Sequence, residues 1–182
     1  MSVNLDVPYV TQLGFGNPKD PRNDPTGCWY ASACMMGFYY EAGPRQGVPE
    51  LFTKVVGTFK DGTPMIGHHT ISGDWELKMM AREHLLLVPE PASKQWSIAE
   101  YEDMLRKYGP LMMSWYKTAG GSTYGHVSVI NGADTAKKTV SYHDPENLPN
   151  SSLAAADLNK LLMWGQRCMM RKDRSLYQVK GS

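Results

Sequence analysis

The sequence has no long apolar run and almost no excess of charge, and both shortages exclude classes of protein. No stretch of about 18 consecutive apolar residues occurs, so no transmembrane helix is expected. The 19 basic and 18 acidic residues leave a formal net charge of +1, which provides no basic surface for nucleic acid or for an anionic membrane. We therefore expect neither nucleic acid nor a membrane as a partner.

Cysteine is also scarce, with three residues in a chain of 182. An odd, small number disfavours a disulfide framework and favours a reducing compartment. Residues 1–6 show neither a basic start nor an apolar core of a signal peptide, so we expect synthesis in the cytoplasm without a cleaved signal. Export by a route that needs no cleaved signal stays open. The length fits one domain over residues 1–182.

Metal-binding spacing is missing as well. The histidines His68, His69 and His84 offer nitrogen ligands, but no C-x-x-C or H-x-x-x-H pattern accompanies them. We expect no metal and no other cofactor.

What the sequence does contain is a loop that runs directly into a buried helix, over residues 23–36. Asp24 and Thr26 are good N-cap residues, and Gly27 allows a sharp turn before the small and apolar residues that follow. Cys28 therefore falls in the first helical turn. Free backbone N–H groups and the positive end of the helix dipole favour a thiolate there, the form of cysteine that attacks a carbonyl carbon.

The remaining N-terminal half is predicted to be largely helical. Residues 5–12 alternate apolar and polar side chains and read as a short extended edge segment. The helix that starts at Cys28 should end near residues 41–44, a second helix is predicted over 48–59, and a third over 74–84. Residues 61–73 read as a loop, and residues 85–88 as an extended, buried segment.

The C-terminal half changes to strand patterns. Ser97 and Glu100 form a capping-box pattern before a helix over 98–108. Strands are predicted over 111–116, 126–130 and 139–143, a helix over 152–164, and final strands over 166–170 and 176–179. Helices first and an antiparallel sheet second indicate an α+β fold.

Cysteine catalysis needs a base and a group that orients the base, and residues of the right types follow Cys28. His126 stands at the start of a strand beside Gly125, and Asp144 follows the next strand, where pairing brings it level with His126. Gln12 precedes the loop to Cys28, so its amide and the Cys28 backbone N–H form a potential oxyanion hole.

Each of these residues also has a structural interpretation. A cysteine in an apolar helix is commonly inert core, the interpretation we give to Cys34 and Cys168. The chain offers four other histidines as bases: His68, His69, His84 and His143. The prediction of a catalytic site therefore depends on the order in which these residues occur together, and not on any one of them.

That order resembles the papain-like cysteine peptidases. The matching segments are residues 7–12, 27–33, 125–132 and 142–145, which carry the Cys-Trp, Gly-His and Asp-Pro elements. The sequence is most similar to the compact bacterial branch with the avirulence effector peptidases of plant pathogens, and to the double-glycine peptidases of bacteriocin exporters. The resemblance implies a helical N-terminal part that carries the nucleophile and packs on a C-terminal antiparallel sheet.

The resemblance also implies roles for individual residues. Cys28 is the nucleophile, His126 the general base and acid, Asp144 the orienting residue and Gln12 the oxyanion donor. The implied reaction is peptide-bond hydrolysis through a thioester acyl-enzyme, with a glycine-rich site, as in the double-glycine relatives, as one substrate. Four residues are expected to line the substrate cleft: Trp29, Trp115, Tyr124 and Gly125.

Two alternatives keep this fold. The same triad fits a peptidoglycan amidase or a protein deamidase, and a catalytically inactive papain-like domain would bind a partner only. By analogy with small peptidases that lack a signal, we expect a toxin or effector that a secretion system delivers into a target cell's cytoplasm. A protein substrate is the expected partner, with a cognate immunity protein that covers the cleft as a second.

Overall fold

The structure is a computed structural model that describes residues 2–17, 19–40 and 53–176. Nine strands lie in these ranges: β1 Ser2–Asn4, β2 Thr53–Thr58, β3 Pro64–His68, β4 Leu85–Leu87, β5 Leu111–Ala119, β6 Ser122–Asp134, β7 Thr139–His143, β8 Ser151–Ala154 and β9 Met169–Lys172. Four α-helices lie in the same ranges: α1 Cys28–Tyr39, α2 Asp74–Arg82, α3 Ile98–Tyr108 and α4 Ala155–Leu161. Single 3-10 turns occupy Gly14–Gly16 and Arg174–Leu176.

A seven-stranded antiparallel sheet organises the described chain. Six strands follow the order β4-β9-β5-β6-β7-β8, and β1 pairs with the far end of β6. β2 and β3 form a separate antiparallel hairpin. Helices on an antiparallel sheet make this an α+β fold, as the sequence predicts.

The period-two pattern of β5 and β6 divides the apolar residues between two cores. On one face, Met113 and Ile130 join a core that α3 and α4 cover with Tyr101 and Leu158. The residues that alternate with these point to the other face of the sheet and pack with α1 in the second core. They are Met112, Val127 and Val129. The sheet is thus held between helices on both sides.

Helix α1 is buried on nearly every side, which explains its uniformly small and apolar sequence. Trp29, Met35 and Met36 are all almost completely buried. The helix packs against β6 and β5, so its first residue is fixed relative to the central strands. The prediction of a buried helix that starts at Cys28 is confirmed.

The predicted second helix over 48–59 is wrong where the structure describes it. Residues 48–52 lie outside the described ranges, and β2 occupies Thr53–Thr58. Threonine and valine dominate this segment, and their branched side chains favour a strand over a helix. The predicted loop over 61–73 likewise contains β3, with Val55 opposite Ile66 in the hairpin.

Other boundaries were predicted with mixed success. The capping box is present, because Ser97 accepts from the Glu100 backbone N–H while the Glu100 carboxylate accepts from the Ser97 backbone N–H. The segment predicted as extended over 5–12 contains no regular strand, since the pairing of β1 with β6 ends at Asn4. The helix predicted over 152–164 begins only after β8. The strand predicted over 166–170 is β9, shifted to Met169–Lys172, and the one predicted over 176–179 lies mostly outside the described residues.

The extended segment at 85–88 is present as β4 but is only half-buried, because Leu86 and Leu87 are exposed at the sheet edge. No helix in the described part of the chain is both long enough and apolar enough to span a bilayer.

Candidate active site

Cys28 is the first residue of α1, directly after the N-cap Gly27. The predicted N-cap side chains are not used as caps, because Gly27 caps the helix without a side-chain hydrogen bond. Asp24 instead closes the turn before the helix, accepting from the Thr26 backbone N–H at 3.3 Å. A Cβ at Gly27 would lie 2.8 Å from the Asp24 carboxylate, so a larger residue there would displace the Asp24 side chain.

The ring of His126 lies between Cys28 and Asp144. Its Nε2 is 2.6 Å from Asp144 Oδ1, and Cys28 lies beside it in the lining of the same cleft, near enough to affect the protonation of the ring. Since Nε2 is taken by Asp144, Nδ1 is the nitrogen left for the sulfur. Burial alone disfavours the charged ring, but Asp144 and Cys28 outweigh it and raise the pKa of His126 to about 9. The site therefore favours an imidazolium.

Asp144 is held by more than the histidine. It is 2% exposed, and its Oδ2 accepts from Lys117 Nζ at 2.7 Å. Its Oδ1 also accepts from the Glu146 backbone N–H at 3.0 Å. Burial opposes ionisation of the carboxyl, but the contacts with His126 and Lys117 prevail and hold the pKa of Asp144 below its usual value. The buried carboxylate is thus fully partnered.

Glu146 connects several of these side chains. Its carboxylate accepts from Lys117 Nζ at 2.9 Å, from Asn23 Nδ2 at 2.6 Å and from the Tyr124 hydroxyl. Together with Asp144, these residues form what we call the Glu146 network: Asn23, Lys117, Tyr124, Asp144 and Glu146. The network joins β5, β6, the turn after β7 and the loop before α1.

Gln12 lies at the edge of this network. It is 6% exposed, and its Nε2 donates to Asn23 Oδ1 at 2.7 Å and to the Asp24 carbonyl at 2.9 Å. Its backbone N–H donates to the Pro145 carbonyl at 2.9 Å. Gln12 therefore bonds to the loop that precedes Cys28 and to the turn that carries Asp144.

The β2–β3 hairpin is attached to the other side of this loop. His68 Nδ1 lies 2.7 Å from Asp24 Oδ2, and the Thr26 hydroxyl donates to the His68 carbonyl. Trp29 Nε1 donates to the His69 carbonyl at 3.0 Å. Among the alternative bases, His68 thus pairs with Asp24.

His143, a second alternative base, is occupied by the backbone. Its Nε2 is 2.8 Å from the Val7 carbonyl, and its Nδ1 accepts from the Asn150 N–H at 3.1 Å. Its burial lowers its pKa. The ring therefore joins the N-terminal segment to the turn after β7.

A cleft of about 590 Å³ opens next to Cys28 and His126. One wall comes from residues 70–79 and the other from residues 163–170. The lining of the cleft is largely apolar and includes four methionine side chains: Met79, Met112, Met163 and Met170. An ion pair of 2.7 Å between Glu76 and Arg167 joins the two walls. A cavity of this size and lining can hold an apolar side chain.

The four residues predicted to line the cleft divide into two pairs. Trp29 and Gly125 are part of its lining. Trp115 is not, because it lies in the core that α3 and α4 cover, where its Nε1 donates to Ser128 at 3.0 Å. Tyr124 belongs to the Glu146 network, with its ring centroid 6.0 Å from that of His126. Alternation along β5 places Trp115 on the core face.

The other two cysteines are buried thiols. Cys168 is completely buried, and burial together with the nearby Glu90 carboxylate raises its pKa to about 12. In the described ranges, no group of three or more histidine, cysteine and acidic residues is placed to hold a metal ion.

Sequence reasoning missed Lys117 and Glu146. Neither residue belongs to a recognisable motif. Glu146 follows Asp144 by two residues, and Lys117 stands directly opposite Tyr124 in the β5–β6 hairpin. The contact between Lys117 and Glu146 therefore follows only from the pairing of the strands.

The chain matches a known protein family. The family model described as papain-like cysteine protease AvrRpt2 matches residues 1–163, which contain Cys28, His126 and Asp144. The chain therefore belongs to this family of papain-like cysteine proteases.

Proposed function

We propose that Cys28, His126 and Asp144 form the catalytic triad of this cysteine protease. The observation that carries the proposal is that one ring, His126, is bonded to Asp144 at 2.6 Å and shares the lining of one cleft with Cys28, which acts on its protonation. The Cys28 thiolate attacks the carbonyl carbon of the scissile bond, and the His126 imidazolium gives its proton to the departing amine. A water, deprotonated by His126, then hydrolyses the thioester and regenerates the thiolate.

The oxyanion formed in each attack needs donors near the sulfur. The backbone N–H of Cys28 is one, because the first N–H groups of a helix have no partner within the helix. Gln12 is the proposed second donor. Its Nε2 is bonded to Asn23 and to the Asp24 carbonyl, so the amide exchanges one of these bonds for the oxyanion.

For the substrate, we propose a protein segment with a small residue, such as glycine in a glycine-rich site, next to the scissile bond. Cys28 is only 8% exposed and shares the lining of the cleft with buried Trp29 and His126, which leaves little room for a side chain at the sulfur. The adjoining methionine-lined cleft suits an apolar side chain of the same segment.

The setting of the reaction is also a proposal. The family supports an effector protease. We propose that a secretion system delivers the protein as a toxin or effector into the cytoplasm of a target cell. All three cysteines are free thiols, which suits a reducing compartment. A cognate immunity protein that covers the cleft is the proposed second partner.

Proteomics of cells that express the protein tests the proposed function. The wild type should generate new protein termini, preferably after glycine, that are missing with Cys28→Ala. Cys34→Ala is the matched control and should leave these termini in place. New termini that persist with Cys28→Ala would refute the nucleophile, and termini without small residues would refute the proposed site.

A further inference from the structure

The neighbourhood of His126 contains more charge than a triad needs. The groups that face it are Cys28 from α1, Lys117 from β5, Tyr124 from β6, and Asp144 and Glu146 after β7. The lysine is the unexpected member. Its Nζ lies 2.7 Å from the very carboxylate that orients the histidine, and its side chain is only 13% exposed.

On its own, Lys117 would work against the triad. A cation bonded to Asp144 neutralises the carboxylate that stabilises a protonated His126. It also adds a positive charge beside the ring. A protease that needs an imidazolium would lose part of its stabilisation through this contact.

Glu146 supplies the missing negative charge. Its Oε2 lies 2.9 Å from Lys117 Nζ, so the lysine bridges two carboxylates. With His126 protonated, the charges of His126, Lys117, Asp144 and Glu146 cancel among themselves, so the Cys28 thiolate of the proposed mechanism is the remaining charge of the site. With His126 neutral, the same partly buried cluster carries an excess negative charge, which is costly away from water.

We propose that Glu146 is a positioning residue that offsets Lys117 and thereby leaves the charge of Asp144 available to a protonated His126. Lys117 in turn links the two carboxylates and fixes their geometry. The inference rests on the proposed function in taking His126 as the acid and base of the site.

The positions of the partners support a specific role for Glu146. Asn23 and Tyr124 hold its carboxylate from the loop before α1 and from β6, so the acid has one orientation. Its pKa is below the usual value, since the bonds from Tyr124 and Lys117 outweigh the effect of burial. Glu146 is thus a fixed negative charge rather than a mobile surface residue.

Nuclear magnetic resonance titration of the histidine rings in the full-length protein tests this inference without a substrate. Glu146→Gln keeps the size of the side chain but removes its charge and replaces one acceptor oxygen with an NH2 donor, so the His126 midpoint should fall by about half a pH unit or more. Lys117→Gln removes the opposing charge, so the midpoint should rise. In the double variant, the two effects should largely cancel.

Controls separate charge from structure. Asn23→Ala removes a partner of Glu146 but no charge, so the His126 midpoint should stay near the wild-type value. Glu146→Asp should restore most of the shift that Glu146→Gln causes. The resonances of His84, on another part of the fold, should not move in any variant.

Shifts of the His126 midpoint that are opposite in sign for Glu146→Gln and Lys117→Gln would establish the inference. Loosening of the network alone would move the midpoint in the same direction in both variants. Shifts of the same sign, or no shift, would overturn it. Failure of the proposed function would give a different result, namely protein cleavage that persists in Cys28→Ala. The His126 midpoints of the Glu146 and Lys117 variants do not depend on that outcome.

Discussion

In the proposed mechanism, His126 is the residue on which the chemistry depends most directly. It is 2% exposed, is bonded to Asp144 and lies near Cys28. Both partners gain from a positive ring, and together they outweigh the cost of burying it. The residue thus stands ready to donate a proton at neutral pH, which the departing amine requires.

This protonation state predicts the alkaline limit of activity. The pKa of His126 is raised from 6.5 to about 9, so the imidazolium persists below that value and is lost as the pH rises through it. We expect kcat/KM for peptide cleavage to fall with a midpoint near pH 9, measured in one buffer series at constant ionic strength. A fall already complete by pH 8 would show that the ring is not held in its charged form.

Gln12 allows a second prediction for a single side chain. Removal of one oxyanion donor costs about 10²–10³ in kcat, because the donor acts mainly on the charge that forms during attack. Gln12→Ala should therefore lower kcat far more than it raises KM. Gln166→Ala, which alters the cleft lining away from the loop before α1, is the control. An unchanged kcat for Gln12→Ala would remove Gln12 from the mechanism.

At this scale, the sequence predicts some partners better than others. Cys28 and Asp144 are predictable because each stands at the end of a recognisable helix or strand. His126 is predictable from the period-two pattern that follows it, although β6 begins four residues before it and not at His126. Lys117 is not, since it meets Asp144 across 27 residues and lies in an otherwise ordinary strand. Trp115, which is predicted to line the cleft, lies in the core for a similar reason. An aromatic residue suits either face of a strand, so its residue type does not indicate the face.

Among the elements, helix α3 shows what a local signal can achieve. Its capping box joins Ser97 and Glu100 through bonds in both directions. Ser97→Ala should cost about 1 kcal/mol of the free energy of unfolding, since an N-cap bond is lost. Thermal and denaturant unfolding would measure this loss, and specific activity should be unchanged.

Ser93→Ala provides the comparison for that variant. Its hydroxyl donates only to the Gln95 carbonyl in an exposed turn, so its loss should matter much less. Equal destabilisation by the two substitutions would contradict the importance of the cap.

The β2–β3 hairpin shows where local signals fail. The apolar residues of 48–59 fit a helical face by spacing, yet β-branched residues and pairing with β3 make Thr53–Thr58 a strand. The hairpin is held by distant contacts, such as that between His68 and Asp24 at 2.7 Å. Interactions of this range are not visible in a window of sequence, so the choice between helix and strand could not be made from it.

At the scale of the whole molecule, a buried ion pair joins the end of α2 to the sheet. Lys172 on β9 is completely buried, and its Nζ lies 3.0 Å from Glu83 Oε2 and 2.6 Å from the Glu83 carbonyl. Loss of one partner leaves a buried charge without compensation. The pair therefore holds α2 and β9 together, and removal of either partner should lower the free energy of unfolding substantially.

Lys172→Met should lower the free energy of unfolding by about 3–5 kcal/mol, measured by denaturant titration. The control is Lys160→Met, which breaks an exposed ion pair with Asp157 and should cost less than about 1 kcal/mol. The double variant Lys172→Met, Glu83→Gln should recover part of the loss. A cost for Lys172→Met no larger than that of the control would show that the pair is not required.

The most direct test of the account is the rate at which each cysteine reacts with iodoacetamide near neutral pH, determined by peptide mapping. If His126 stabilises a Cys28 thiolate, Cys28 should react far faster than Cys34 and Cys168, and His126→Ala should remove most of this advantage. Three cysteines that react at similar slow rates, or a fast Cys28 that is indifferent to His126→Ala, would contradict it.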